Sequence, residues 1–132
     1  ILQAHSTSNP CSVSQWAALA AVEGKAEEQR LEMLAAFNAR RDLICSLLSR
    51  EELIQFDRPD GAFYVFIRLL VDGEVDTALF CSELLEEEGL AVIPGSAFGA
   101  EGYIRISFAA SDDDIREGVK RLRRFLHRRH DT

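Results

Sequence analysis

Residues 103–108 alternate between apolar and polar side chains, and this segment constrains the fold more than any other. The apolar set is Ile104, Ile106 and Phe108, and the alternating set is Tyr103, Arg105 and Ser107. Because successive side chains of a strand point to opposite sides of the sheet, the pattern predicts a strand with one buried face and one open face. Such a strand needs a second layer to cover its apolar face.

The segment that follows has the pattern of an amphipathic helix. Ser111 can cap its first turn, in which residues 112–114 are all aspartate. Its apolar stripe recurs at helical spacing through Ile115, Val119, Leu122 and Leu126. We therefore expect a final helix that packs against the sheet.

Two helices are predicted in the first third of the chain. Residues 1–11 are mostly polar, and we expect them to be loop-like. Ser12 with Gln15 matches a capping box and predicts a helix that begins there, and Gly24 interrupts it. A longer helix is predicted over residues 26–49.

The middle of the chain predicts two strands around a third helix. Residues 62–67 form a continuous apolar and aromatic run, typical of a strand buried on both faces, and residues 90–93 form a short second strand. The helix between them begins near Asp76 and ends at Gly89, and its inward positions are expected to be Ala78, Cys81 and Leu85. Turns are predicted at residues 59–61 and 72–73, and a glycine-rich loop at residues 95–102.

This order of elements predicts an α+β fold, a small and mainly antiparallel sheet with helices packed against it. The chain of 132 residues carries no internal repeat and no linker, so we expect residues 1–132 to form a single domain.

Composition excludes several classes of function. The chain has 15 Lys and Arg against 22 Asp and Glu, a net charge of −7, which disfavours nucleic acid as a partner. No apolar run is long enough to span a membrane. The three cysteines are far apart and the three histidines lack metal-ligand spacing, so we expect no metal site and a reduced, cytoplasmic setting. Residue 1 is isoleucine and the only methionine is Met33, so we expect a piece of a longer protein.

Arg105 is the residue best placed for binding chemistry. It lies in the middle of the alternating strand, on the face away from the apolar row, and a glycine-rich loop precedes it. Its planar guanidinium can bind a carboxylate through two parallel hydrogen bonds. A structural ion pair with a nearby Asp or Glu is the alternative. The two lysines, Lys25 and Lys120, lie in polar surroundings that would not lower a pKa for nucleophilic work.

Several other conspicuous side chains are interpreted as structural. We expect Trp16 to be a core residue, and the aromatic residues Phe63, Tyr64 and Phe66 to belong to the core of the sheet. The run of glutamates at 86–88 is expected to be solvated, as are His127 and His130 at the end of the last helix.

Three segments, taken in order, resemble the C-terminal part of class I aminotransferases, which are fold type I pyridoxal-phosphate enzymes. Residues 89–99 (GLAVIPGSAFG) with residues 102–109 (GYIRISFA) resemble the C-terminal signature of that family. Residues 59–66 (PDGAFYVF) resemble the preceding strand of its small domain, and residues 5–10 (HSTSNP) resemble the segment shortly after the cofactor lysine. Together the matches extend over nearly the whole chain.

The resemblance implies roles for two residues. The arginine at the position of Arg105 binds the α-carboxylate of the substrate, and the aromatic residue at the position of Phe98 lies near the substrate side chain. Residues 1–25 would lie near a subunit interface, and residues 26–132 would form the small domain. Pyridoxal phosphate is implied for the parent protein, with its lysine upstream of Ile1, so we expect no catalytic or cofactor-binding residue and no bound cofactor in this chain.

The implied partners are amino-acid and 2-oxo-acid substrates, a large domain and a second subunit of a homodimer. Two alternatives stay open from the sequence: a non-catalytic module that binds a carboxylate effector through Arg105, and a lyase or synthase on the same fold. The substrate side chain also stays open.

Overall fold

The structure is a computed structural model that describes residues 1–71 and 75–130. The described chain contains five α-helices: α1 (Leu2–Thr7), α2 (Ser12–Val22), α3 (Glu27–Leu48), α4 (Thr77–Glu88) and α5 (Asp112–His130). It also contains four strands: β1 (Ile54–Phe56), β2 (Tyr64–Leu69), β3 (Ile93–Pro94) and β4 (Tyr103–Ser107). The predicted turn at residues 72–73 lies outside the described residues.

The chain divides into two compact units, residues 1–36 and the remainder from Phe37, with the boundary inside α3. The first unit contains α1 and α2, and α1 corrects our expectation of a loop over residues 1–11. The helix predicted from Ser12 is present, but its capping box is not: Cys11 is the capping residue, and the Gln15 side-chain amide instead donates to the Pro10 carbonyl oxygen at 2.9 Å.

Trp16 is not a core residue. Its side chain is 71% exposed, and no residue of α2 is buried within the described chain. From Trp16 onward the sequence of α2 is apolar on every side, so helical spacing alone could not show which face, if any, would be covered.

The second unit contains the sheet, whose strands lie in the order β1–β2–β4–β3 with every neighbouring pair antiparallel. The α+β fold predicted from the sequence is therefore confirmed. Strand β1 was not predicted, because three residues are too few to show a period.

One face of this sheet is buried beneath helices. Val65, Ile67 and Leu69 of β2 alternate inward, as do Ile104 and Ile106 of β4. The stripe predicted for α5 is buried in full, together with Phe125, and the C-terminal part of α3 and the inner side of α4 complete the core. The cap on α5 is also confirmed, since the Asp114 amide donates to Ser111 Oγ at 3.1 Å.

The opposite face of the sheet is open, which corrects the expectation that the strand near residues 62–67 is buried on both sides. The strand runs from Tyr64 to Leu69, and Phe63 (53% exposed) and Tyr64 (37% exposed) do not belong to the core. We call this surface the open face; it carries Tyr64, Phe66 and Arg68 from β2 and Tyr103 and Arg105 from β4.

Helix α4 keeps its predicted ends but not its predicted inner face. The Asp76 carboxylate accepts from two backbone amides of the first turn, and Gly89 ends the helix in the left-handed conformation with φ 64°. Of the three positions expected to face inward, only Cys81 is buried; Ala78 and Leu85 are exposed. The buried stripe lies one residue earlier in the chain than predicted. In this position the bulky ring of Phe80 packs against Phe125 of α5, with ring centroids 5.1 Å apart.

Glu88 is buried, contrary to the expectation of a solvated acidic end, whereas Glu86 and Glu87 are exposed as expected, and Glu51 is a second buried glutamate. Glu88 forms ion pairs with Arg124 and Arg128 of α5, and the hydrogen bond from Arg124 lowers the pKa of the Glu88 carboxyl. Glu51 forms ion pairs with Arg123 at 3.1 Å and with His127 at 3.1 Å, so His127 is not a purely solvated residue either. The paired residues lie 36 to 76 positions apart in the sequence, so spacing within one helix or strand could not predict these ion pairs.

Candidate functional site: an arginine between aromatic rings on the sheet face

Arg105 lies at the centre of the open face. It stands in the middle of β4, directly opposite Phe66 of β2 on one side and Ile93 of β3 on the other. Because its neighbours Ile104 and Ile106 point into the core, the side chain of Arg105 must point out of the open face, as the alternation predicted.

Two aromatic rings hold the Arg105 guanidinium. Its Cζ atom lies 4.6 Å from the centroid of the Phe98 ring and 4.9 Å from the centroid of the Tyr64 ring, within the range of cation–π attraction. The alternative role, a structural ion pair, is not supported by the structure. Among the carboxylates of residues 1–71 and 75–130, none lies within salt-bridge distance of Arg105. Its in-plane N–H groups therefore stay available to a ligand.

Phe98 reaches Arg105 because the loop before β4 folds tightly. Residues Gly95–Phe98 form a single 3-10 turn, and Gly99 follows with a φ of 72°, a conformation that favours glycine. At Gly95 a Cβ atom would lie 2.3 Å from the Ala100 carbonyl oxygen, so only glycine fits there. Phe98 is 51% exposed.

The aromatic residues of the open face also contact one another. Phe66 packs edge-on against Phe98 at 6.1 Å between centroids and stacks on Tyr103 at 5.0 Å with 13° between the ring planes. An open groove of ≈ 320 Å³ runs past Tyr64, Phe66 and Tyr103. Tyr64 and Phe66 were interpreted as core residues from the sequence, whereas in the structure they lie on the same face of the sheet as Arg105.

Both predicted site residues, Arg105 and Phe98, are thus brought into contact with each other. Tyr64 was not singled out for this site, although a signal for it existed. If β2 is recognised as a strand with one buried and one open face that pairs with β4, the strand period of two puts Tyr64 and Phe66 on the same face as Arg105.

The two lysines lie away from this face and are exposed. Lys25 pairs with Glu23 at 2.6 Å, and Lys120 pairs with Glu117 at 3.7 Å, with the lysine side chains 69% and 72% exposed. Cys45 and Cys81 are buried and unbridged, and burial raises the pKa of the Cys81 thiol to about 11. Across the described ranges, no group of three or more His, Cys, Asp or Glu residues could hold a metal ion. No helix in the described part of the chain has the length and apolar character needed to cross a membrane.

The family model described as "Aminotransferase class I and II" matches residues 1–122. The chain belongs to this family, and the resemblance drawn from its sequence is confirmed. Among curated relatives, an aspartate/prephenate aminotransferase of Cereibacter sphaeroides is 40% identical over 133 residues, covering 94% of this chain and 33% of that protein. A probable aspartate/prephenate aminotransferase of Rickettsia felis is 39% identical, covering 94% of this chain and 32% of that protein.

Solved structures agree with this assignment. An aspartate aminotransferase of Thermotoga maritima superposes with a TM-score of 0.81 at 36% identity, covering 96% of this chain and 31% of that one. An aromatic aminotransferase of Pyrococcus horikoshii superposes with a TM-score of 0.85 at 33% identity, covering 97% of this chain and 35% of that one. The chain thus spans about a third of the length of the relatives it matches.

Proposed function

We propose that this chain is the C-terminal part of a pyridoxal-phosphate-dependent aminotransferase and that Arg105 binds the α-carboxylate of its amino-acid and 2-oxo-acid substrates. The observation that carries the proposal is the environment of Arg105. A half-buried guanidinium with aromatic rings beside it and no carboxylate partner among the described residues is a ready receptor for an anion.

Electrostatics supports a carboxylate as the ligand. The fork of an arginine matches the two oxygen atoms of a carboxylate, and each charge-assisted hydrogen bond is about twice as strong as a neutral one. The apolar rings of Phe98 and Tyr64 beside the guanidinium reduce its contact with water, so a ligand carboxylate loses less of its interaction to solvent. Arg105 would thereby fix the orientation of the substrate, which is a binding and positioning role.

Phe98 is proposed to lie beside the substrate side chain. It is half-exposed, it contacts Arg105, and Phe66 supports it from behind. A residue in that position would influence which amino acid is accepted more strongly than it influences carboxylate binding.

The residues of this chain do not fit the cofactor by themselves. Pyridoxal phosphate, the cofactor implied by the family, supplies an electron sink when it is bound. A lysine that joins it needs a desolvated setting to lower its pKa, and Lys25 and Lys120 are exposed and paired with glutamates. We therefore propose that the cofactor residues belong to a large domain and a second subunit of a cytoplasmic homodimer, and that this chain alone binds no cofactor.

A pair of arginine variants of the full-length enzyme tests the proposal. Arg105→Ala should lower kcat/KM for amino-acid substrates about a hundredfold or more, because a charged and partly desolvated contact is lost. Arg105→Lys should also be poor, since an ammonium group cannot reproduce the fork. Arg68→Ala is the matched control, because Arg68 is exposed on the same face and lies beside Tyr103 rather than beside Arg105.

The same experiment can contradict the proposal. If Arg105 serves the fold, its alanine variant will be clearly destabilised while the activity per folded molecule stays near normal. A Tm close to that of the unchanged protein, together with the loss of kcat/KM, is the expected result.

A further inference from the structure

The open face contains one contact to Arg105 that carboxylate binding alone does not require. Two rings touch the guanidinium, and they come from different parts of the fold: Phe98 from the loop before β4, and Tyr64 from the first position of β2. We infer that Tyr64 is a positioning residue, which holds the Arg105 guanidinium in the orientation that receives the substrate carboxylate. The inference rests on the proposed function of Arg105.

An arginine with no fixed partner has many side-chain conformations to lose when it binds a ligand. Ordering a side chain of this length costs conformational entropy. In the described chain no hydrogen bond or ion pair restrains Arg105, so its two ring contacts are the interactions that can hold it in place before the substrate arrives. A ring face attracts the cation and leaves the in-plane N–H donors for the ligand.

Tyr64 is well fixed for this purpose, because the start of β2 is bonded firmly to β4. Tyr64 pairs with Ser107, two residues along β4 from Arg105. The carbonyl oxygen of the preceding Phe63 accepts from the Phe108 amide at 2.8 Å and from Ser107 Oγ at 3.2 Å. The Phe63 ring packs edge-on against the Tyr64 ring, with centroids 6.3 Å apart.

Tyr64 and Phe98 therefore have separable effects. A residue that acts only through Arg105 should affect every substrate equally, because every amino acid and 2-oxo acid presents the same carboxylate. A residue beside the substrate side chain should alter the preference among substrates. Tyr64 belongs to the first kind, and Phe98, whose position also depends on Phe66, belongs to the second.

The test uses the full-length enzyme with two substrates of different side chain, one acidic and one aromatic. Tyr64→Leu removes the ring and should raise KM about tenfold for both, with kcat changed less than about threefold, while Tyr64→Phe keeps the ring and should stay within about twofold of the unchanged enzyme. Phe98→Leu should change the ratio of kcat/KM between the two substrates. If Tyr64→Leu fails to fold, Tyr64→Met, which is unbranched and also lacks a ring, replaces it.

A double variant separates positioning from general structural damage. In an Arg105→Ala background, adding Tyr64→Leu should lower kcat/KM less than about twofold, because no guanidinium remains to be positioned. An undiminished tenfold loss in that background, or equal losses for Tyr64→Leu and Tyr64→Phe, would overturn the inference. If Arg105→Ala is impaired and Tyr64→Leu is not, the inference fails while the proposed function stands; if Arg105→Ala is unimpaired, the proposed function itself fails.

Discussion

The buried carboxylate of Glu51 should contribute measurably to the stability of the fold, and Glu51→Gln is the perturbation that tests this. The Glu51 side chain is 1% exposed and accepts from the Leu53 amide at 3.2 Å and from Arg123 Nε at 3.1 Å. His127 Nε2 lies 3.1 Å from the same oxygen atom as Arg123. The carboxylate therefore links the turn after α3 to the last turns of α5.

The expected loss of unfolding free energy depends on which of these hydrogen bonds a neutral amide can keep. The Glu51→Gln variant would retain an acceptor for the Leu53 amide, but it would present a neutral group to Arg123. Hydrogen bonds to charged groups contribute about 1.5–3 kcal/mol, and the lower part of that range applies because Arg123 and His127 are 42% and 56% exposed and can be rehydrated. We expect a loss of about 2 kcal/mol, or a Tm lowered by about 6 °C.

The effect should also depend on pH, with a definite sign. Burial alone would raise the pKa of the Glu51 carboxyl, but the Leu53 amide, Arg123 and His127 outweigh it and hold that pKa below its ordinary value. A carboxyl with a lowered folded-state pKa stabilises the fold fully above the unfolded pKa of about 4.3, and that contribution disappears as the pH falls through the folded pKa. The difference between the two proteins should therefore be at its full size at pH 7 and should narrow below about pH 4.

Thermal unfolding of both proteins at pH 7 and pH 3.5, followed by circular dichroism, measures the difference. Glu52→Gln is the matched control, since the neighbouring Glu52 is exposed, and its Tm should change by less than about 2 °C. Equal stability of Glu51→Gln and the unchanged chain at pH 7, or a difference that is the same at both pH values, would show that the charge of Glu51 does not stabilise the fold.

Three further outcomes are expected. Borohydride reduction of the chain with pyridoxal phosphate, followed by peptide mass mapping, should yield no stoichiometric adduct on Lys25 or Lys120, because both are exposed and paired; a specific adduct would contradict the proposed division of the cofactor site. Gly95→Ala should destabilise the chain by more than about 2 kcal/mol in denaturant unfolding, because its Cβ would lie 2.3 Å from the Ala100 carbonyl oxygen, and an unchanged midpoint would be inconsistent with the 3-10 turn. Titration with a thiol reagent should modify Cys11 rapidly and the two buried thiols only on unfolding; rapid reaction of all three would argue against the core.

The sequence predicted the elements whose signals are local. The alternation of residues 103–108 placed Arg105 on the open face, and the caps at Asp76, Gly89 and Ser111 defined helix ends because each depends on a residue within one turn. The α+β class followed from their order.

Features that depend on distant parts of the chain were not predictable in this way. Whether the strand that begins at Tyr64 has one buried face or two depends on whether a second layer covers it, which its own residues do not encode. The burial of Glu88 likewise depends on arginines of α5 that lie 36 or more residues away. At the site, the alternating pattern of the sequence was enough to single out Arg105. Its contact with Tyr64 could be predicted only from the register of β2 against β4.

Binding of the substrate carboxylate by Arg105 is tested by removing the carboxylate from the substrate as well as the arginine from the enzyme. The quantity to measure is the ratio of kcat/KM for an amino acid to that for the corresponding amine without a carboxylate. Arg105→Ala should lower this ratio about a hundredfold, because the amine never used the arginine. A ratio that stays the same in Arg105→Ala, with both substrates impaired equally or not at all, would show that Arg105 does not bind the carboxylate.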